Sequence, residues 1–155
     1  MKKLFVVVSV ALLGSVVVAL AANPRFVMAT DELVGENLVV SFREVGLGQA
    51  SSIDYVVTAG NIATYACVSV GNECGNPVSV NEPVAAASTM VPRRGGQVSG
   101  SLSLSPHSLE LECALGDTKH LIDVTYYNIT ITDVTNGITQ AVIPSAVEAT
   151  LFVCS

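Results

Sequence analysis

The sequence predicts an all-β chain: an antiparallel sandwich of seven or eight strands carrying two disulfides. Three observations lead there. Apolar residues recur at period two in most of the segments beyond residue 36, and no stretch carries a convincing helical period. Glycine, proline and asparagine punctuate these segments at spacings of about 8–15 residues. The four cysteines, Cys67, Cys74, Cys113 and Cys154, are even in number and all lie beyond an amino-terminal apolar leader. A barrel or a jelly roll is the alternative arrangement of such strands.

The leader has three parts. Met1-Lys2-Lys3 is a short positive region, Leu4 to Leu20 is an almost unbroken apolar run, and Ala19-Leu20-Ala21 offers the small residues a signal peptidase accepts. Residues 1–22 therefore read as a secretory signal peptide, cut after Ala21 or Ala22. The run is slightly short of the about 20 apolar residues a membrane span needs, and Gly14 and Ser15 interrupt it. No cysteine stands at the cut to take a lipid, and no later stretch is apolar for long enough to span a bilayer. Cleavage removes Lys2 and Lys3, leaving five basic residues against thirteen acidic ones, a formal charge of −8. Such a surface disfavours nucleic acid and anionic membranes as partners. In an exported chain the four cysteines are expected as disulfides. Zinc ligands usually come as C-x₂₋₄-C pairs, whereas Cys67 and Cys74 have six residues between them.

The strands follow in order. Residues 23–35 show no clear pattern and are expected as an extended amino-terminal arm, with the domain over 36–155. Leu38, Val40 and Phe42 alternate with Val39, Ser41 and Arg43. Ile53, Tyr55 and Val57 form a second alternation, ended by a turn or bulge at Ala59-Gly60-Asn61. Ala63, Tyr65 and Cys67 form a third, running to about Val70. Gly71 to Pro77 is a loop. Val84 to Met90 reads as a strand started by Pro83. Arg93-Arg94-Gly95-Gly96 is a hairpin tip. Val98 to Ser105 puts Ser99, Ser101, Ser103 and Ser105 on the wet side. Leu109 to Cys113 is a short extended piece. Leu121 to Asp133 is the longest strand, and Asn136-Gly137 reads as a two-residue hairpin turn into Ile138–Ile143. Val147 to Val153 closes the chain.

Five segments carry a resemblance: VSFREVGLG (Val40–Gly48), IDYVVTA (Ile53–Ala59), ATYACVSVG (Ala63–Gly71), GQVSGSLSLSP (Gly96–Pro106) and VTYYNITITDVTNGI (Val124–Ile138). In this order they resemble a family of small secreted bacterial proteins, common in actinobacteria, over most of residues 38–143. Thr132–Gly137 is the most specific piece. The resemblance implies a single immunoglobulin-like sandwich and a secreted location, and it implies no activity. Family members usually carry a cysteine in Tyr-Ala-Cys and another before a loop like that at Gly116, positions matched by Cys67 and Cys113. Cys74 and Cys154 depart from the family pattern. Four cysteines allow three connectivities. The resemblance favours Cys67–Cys113, which leaves Cys74–Cys154; the rival is Cys67–Cys74 with Cys113–Cys154. Asn61–Cys67 also resembles the second-cysteine strand of an antibody variable domain. That domain needs an earlier cysteine and a core tryptophan, and this chain has neither.

Chemistry is sparsely provided for. His107 and His120 lie near turns, without a nucleophile or an orienting carboxylate at a diagnostic spacing, and no G-x-S-x-G, H-E-x-x-H or P-loop occurs. Glu110 and Glu112 share one side of an extended Leu109–Cys113 and read as solvated surface. Asp117, Asp123, Asp133 and Glu148 are the oxygen donors a calcium ion would need, but the EF-hand spacing is missing, and Asp117-Thr118 and Asp133–Asn136 read as turns. No catalytic residue, metal site or cofactor is expected. Asn128-Ile129-Thr130 is an acceptor for N-glycosylation. The expected function is a secreted, non-enzymatic structural or binding module of a cell surface, matrix or fibre. It would pair with itself through strand edges, residues 23–35 serving as a donor segment, or bind an extracellular protein or glycan. A secreted effector, toxin or inhibitor of one protein partner is the alternative.

Overall fold

The computed structural model describes residues 23–155, so the expected signal peptide at 1–22 lies outside the described residues. The described residues hold eight strands and no α-helix: β1 (Arg25–Val34), β2 (Asn37–Val45), β3 (Ile53–Val68), β4 (Val78–Met90), β5 (Gln97–Leu104), β6 (Thr118–Asp133), β7 (Ile138–Ala141) and β8 (Ala146–Thr150). They build two antiparallel sheets, one in the order β1-β2-β5 and the other in the order β4-β3-β6-β7, with β8 also on β6. β7 and β8 pair with successive halves of one edge of β6. Pro144, which has no N–H to give a ladder, stands between them.

Alternation decides what faces inward. Leu38, Val40 and Phe42 of β2 are fully buried against Ile53, Tyr55 and Val57 of β3 and Tyr126 and Ile131 of β6. The rings of Phe26, Phe42 and Tyr55 form an aromatic cluster, with centroids 4.6–6.3 Å apart. The Tyr126 hydroxyl reaches the carbonyls of Glu36 (2.9 Å) and Leu104 (3.3 Å), tying the five-stranded sheet to the ends of β2 and β5. On one side the sheets also touch through their edges, where Ile143 N donates to Ala29 O at 3.3 Å.

Several elements differ from the sequence expectation. Residues 25–34 are strand β1, hydrogen-bonded to β2 along its length. A bulge between Phe26 and Met28, and Asp31 at an inward position, erase the period-two signal there. The second and third alternations are one strand, and of the turn or bulge expected at Ala59-Gly60-Asn61 the structure has the bulge: the β3–β6 register shifts between Thr58 and Gly60, and the Tyr127 ring lies over Gly60, in the space a side chain would take. β4 starts at Val78 and runs through Pro83, which an edge strand tolerates. Leu109–Cys113 is extended but belongs to neither sheet. The β6–β7 turn is longer than two residues: Asp133 pairs with Ile138, and Asn136 N donates back to Asp133 Oδ1 at 2.9 Å.

Asn128 sits in the left-handed region (φ 52°), at the bulge where β6 slips one residue against β3. The slip switches the inward set from Ile122, Val124 and Tyr126 to Ile129, Ile131 and Asp133. Asparagine adopts this conformation at low cost and alanine does not. Asn128→Ala is therefore expected to destabilise the fold by about 1 kcal/mol, with Asn128→Gly close to neutral, in urea unfolding at one pH.

The sheets are unequal, which has a consequence for the lower part of the molecule. β3 and β6 have 16 residues each, whereas β2 and β5 have 9 and 8. The last third of β3 and the first third of β6 thus extend past the smaller sheet. Ala63, Tyr65, Ala66, Val68 and Ile122 are nevertheless buried. On the face of Tyr65 and Cys67, segment 105–117 supplies the missing cover.

Candidate functional site

The cover is fastened at several points. Cys113 is bonded to Cys67 on β3. Tyr65 Oη donates to His107 O (2.9 Å), and His107 N donates to Oδ1 of the buried Asn61 (2.9 Å). Lys119 Nζ donates to Leu109 O (2.8 Å) and lies 5.3 Å from the centre of the Tyr65 ring. Leu109, Leu111 and Cys113 turn partly inward, and Glu110 and Glu112 outward.

The second disulfide fastens the remaining two irregular segments at the same end. Cys74, in the loop between β3 and β4, is bonded to Cys154. That loop is folded back on β3, with Gly75 N donating to Cys67 O (2.8 Å) and Ser69 N to Glu73 O (3.0 Å). The chain end runs along it: Ser155 N donates to Asn72 O (3.1 Å) and Ser155 Oγ to Gly71 O (3.0 Å). Val68 pairs with Cys74, so both disulfides adjoin one strand end. Two disulfides are compatible with an extracellular location.

Each of these segments presents an aliphatic side chain to solvent. Val70 is 93% exposed, Val153 is 80% exposed, and Leu115 stands fully free at a turn closed by Asp117 N donating to Ala114 O. Exposed acidic side chains flank them: Glu73, Glu110 and Glu112. Lys119 is the one lysine or arginine in the cover and the start of β6, and it is engaged by Leu109 and Tyr65. A fixed backbone costs little further entropy on binding. Apolar tips on fixed loops within an acidic rim suit a partner surface that is apolar at its centre and basic at its margin.

The other candidate residues are scattered. His107 Nε2 lies 3.3 Å from Glu82 Oε2, and both side chains are half exposed. His120 bonds Thr118 (2.9 Å) and packs on Phe152. Asp123 and Glu148 are brought to one outer face, where Thr150 donates to Asp123 (2.7 Å), while Asp117 sits in a turn and Asp133 is buried. Among the described residues no three of His, Cys, Asp and Glu converge as a metal-binding group. Asn128 is exposed. Ser99, Ser101 and Ser103 line the outer face of β5. On the other sheet's outer face, hydroxyls pair with one another, Thr58 with Thr130 and Thr132 with Thr139, each at 2.9 Å.

The interior holds a polar group whose Glu44 escaped the sequence reading and whose Asp133 was read as a turn residue, which it is. Glu44 of β2 and Asp133 of β6 are fully buried at the end opposite the disulfides. Tyr55 Oη donates to Glu44 Oε2 at 2.7 Å. Asp133 accepts from Asn136 N (2.9 Å) and Nδ2 (2.6 Å). Burial, and then the nearby Asp133 carboxylate, outweigh the Tyr55 hydrogen bond and push the Glu44 carboxyl up to about 7. Position parity carried the signal: Glu44 continues Leu38, Val40 and Phe42, and Asp133 continues Ile129 and Ile131.

Compared with known proteins, the chain finds no similar counterpart: no family model, no curated protein and no solved structure matches it.

Proposed function

We propose that this chain is a secreted, non-enzymatic binding module that engages a protein partner at a cell surface or in an extracellular matrix, through its disulfide-fastened loop end. One observation carries the reading: three irregular segments converge at one end, both disulfides fix them there, and each offers an exposed aliphatic side chain. Loops set on a rigid sheet scaffold are the usual place for recognition. The leader-like residues 1–22 and the disulfides support export.

An immunoglobulin-like identity is part of this reading, in line with the resemblance to secreted actinobacterial sandwiches. The strand order supports it: the chain crosses from β2 to β3 in the other sheet, returns in β5 beside β2, and returns again in β6 beside β3. Two features favour a discrete module over a self-assembling fibre. The would-be donor segment is already paired to β2 in its own chain, and it points Asp31 inward from an edge, a device that discourages edge-to-edge pairing.

The test is capture from the surface extract of the producing organism, using the exported protein and its Val70→Ser, Leu115→Ser, Val153→Ser triple variant. The expected result is one dominant protein partner, retained by the parent and bound at least tenfold more weakly by the variant. Equal retention by both would overturn the reading.

A further inference from the structure

We infer that Glu44 and Asp133 hold a single proton between them, and that this proton latches the two sheets together at the end opposite the disulfides. The inference is independent of the binding function.

The geometry sets the proton count. Both carboxyls have no exposed surface and belong to different sheets, Glu44 to β2 and Asp133 to β6. Asp133 has two donors from Asn136. Glu44 has one, from Tyr55, and its Oε1 is buried with no donor to receive. A buried carboxylate oxygen without a donor is costly, whereas a carboxylic acid O–H is itself a donor. Asp133 is the register partner of Tyr55, whose hydroxyl bonds Glu44, so the two carboxyls are neighbours across the sheets; with the proton on Oε1, Glu44 becomes a donor toward Asp133 and both buried groups are satisfied.

The surroundings favour one negative charge over two. Glu44 pairs in register with Phe26 of β1 and Val98 of β5, both apolar, and Arg43 beside it bonds Gln97 on the surface. Tyr55 of β3 and Asp133 of β6 are the titratable groups facing it, and neither supplies positive charge. Like charges this close do not both ionise readily in an apolar interior.

The sign of the pH effect follows. The Glu44 carboxyl is raised from 4.5 to about 7, so between these values the folded chain keeps a proton the unfolded chain has lost. The stabilisation is fully present below pH 4.5 and is lost as pH rises through about 7. The folded-to-unfolded ratio attributable to this site is expected to fall by about two orders of magnitude across that window.

Two readouts on the full exported chain test this. In carboxyl ¹³C NMR, one glutamate side chain, identified as Glu44, is expected to titrate near neutrality, and urea unfolding between pH 5 and 8 is expected to show a falling midpoint that Glu44→Gln flattens. A Glu44 resonance titrating in the ordinary range, or a Glu44→Gln variant with the parent's pH slope, would overturn the latch. The NMR arm decides alone if the variant does not fold.

Discussion

Replacing Cys67 and Cys113 together with serine is expected to lower the free energy of unfolding by about 4 kcal/mol. The bond closes a chain separation of 46 residues, so its loss returns a large share of loop-closure entropy to the unfolded chain. The folded state suffers as well. Segment 105–117 lies on the Tyr65 and Cys67 face of β3, and without the bond its hold reduces to Tyr65 on His107, His107 on Asn61 and Glu82, and Lys119 on Leu109. The Cys74–Cys154 bond closes 80 residues, and loop-closure entropy alone would make it worth about as much. The two pairs differ in what they release. Amide hydrogen exchange should quicken through 105–117 in the Cys67/Cys113 variant, and through 151–155 and the β3–β4 loop in the Cys74/Cys154 variant. Urea unfolding measures the size of the effect, and a loss below about 1 kcal/mol for Cys67/Cys113 would mean that the cover holds without its bond.

Phe42→Ala is expected to cost about 4 kcal/mol, against about 1 kcal/mol for Phe42→Leu. Phe42 is fully buried, and its ring centre is 4.6 Å from Tyr55 and 6.1 Å from Phe26. Met90 fills the space that a side chain at Gly100 would occupy, with Phe42 in contact beside it, so this part of the core is packed from both sheets. Removing the ring leaves a cavity that two hydrogen-bonded sheets cannot close by moving together. Calorimetric unfolding of the two variants at one pH separates the cavity from simple loss of apolar contact.

The sequence showed the fold well wherever alternation was clean. Leu38-Val40-Phe42 and Ile53-Tyr55-Val57 placed β2 and the start of β3 on their correct faces. The resemblance pointed to Cys67–Cys113, and the structure has that bond together with Cys74–Cys154. It failed where one residue broke the period. The bulge in β1 and inward Asp31 made an edge strand look like an arm, and at Gly60 the sequence left turn and bulge open, because the ring that decides for the bulge, Tyr127, comes from a strand more than sixty positions away. The loop end was legible only in part. The cysteines marked it, but the need for a cover arises from the unequal lengths of β3 and β2, a tertiary fact with no local signature. Val70, Leu115 and Val153 read as ordinary apolar residues, since exposure is not written in a side chain's type.

The most direct measurement of the binding account is a hydrogen-exchange footprint of the module with its captured partner. Protection is expected to fall on residues 69–77, 109–117 and 151–155. Protection confined to the β4 edge or to the serine face of β5, with those three segments unchanged, would contradict it.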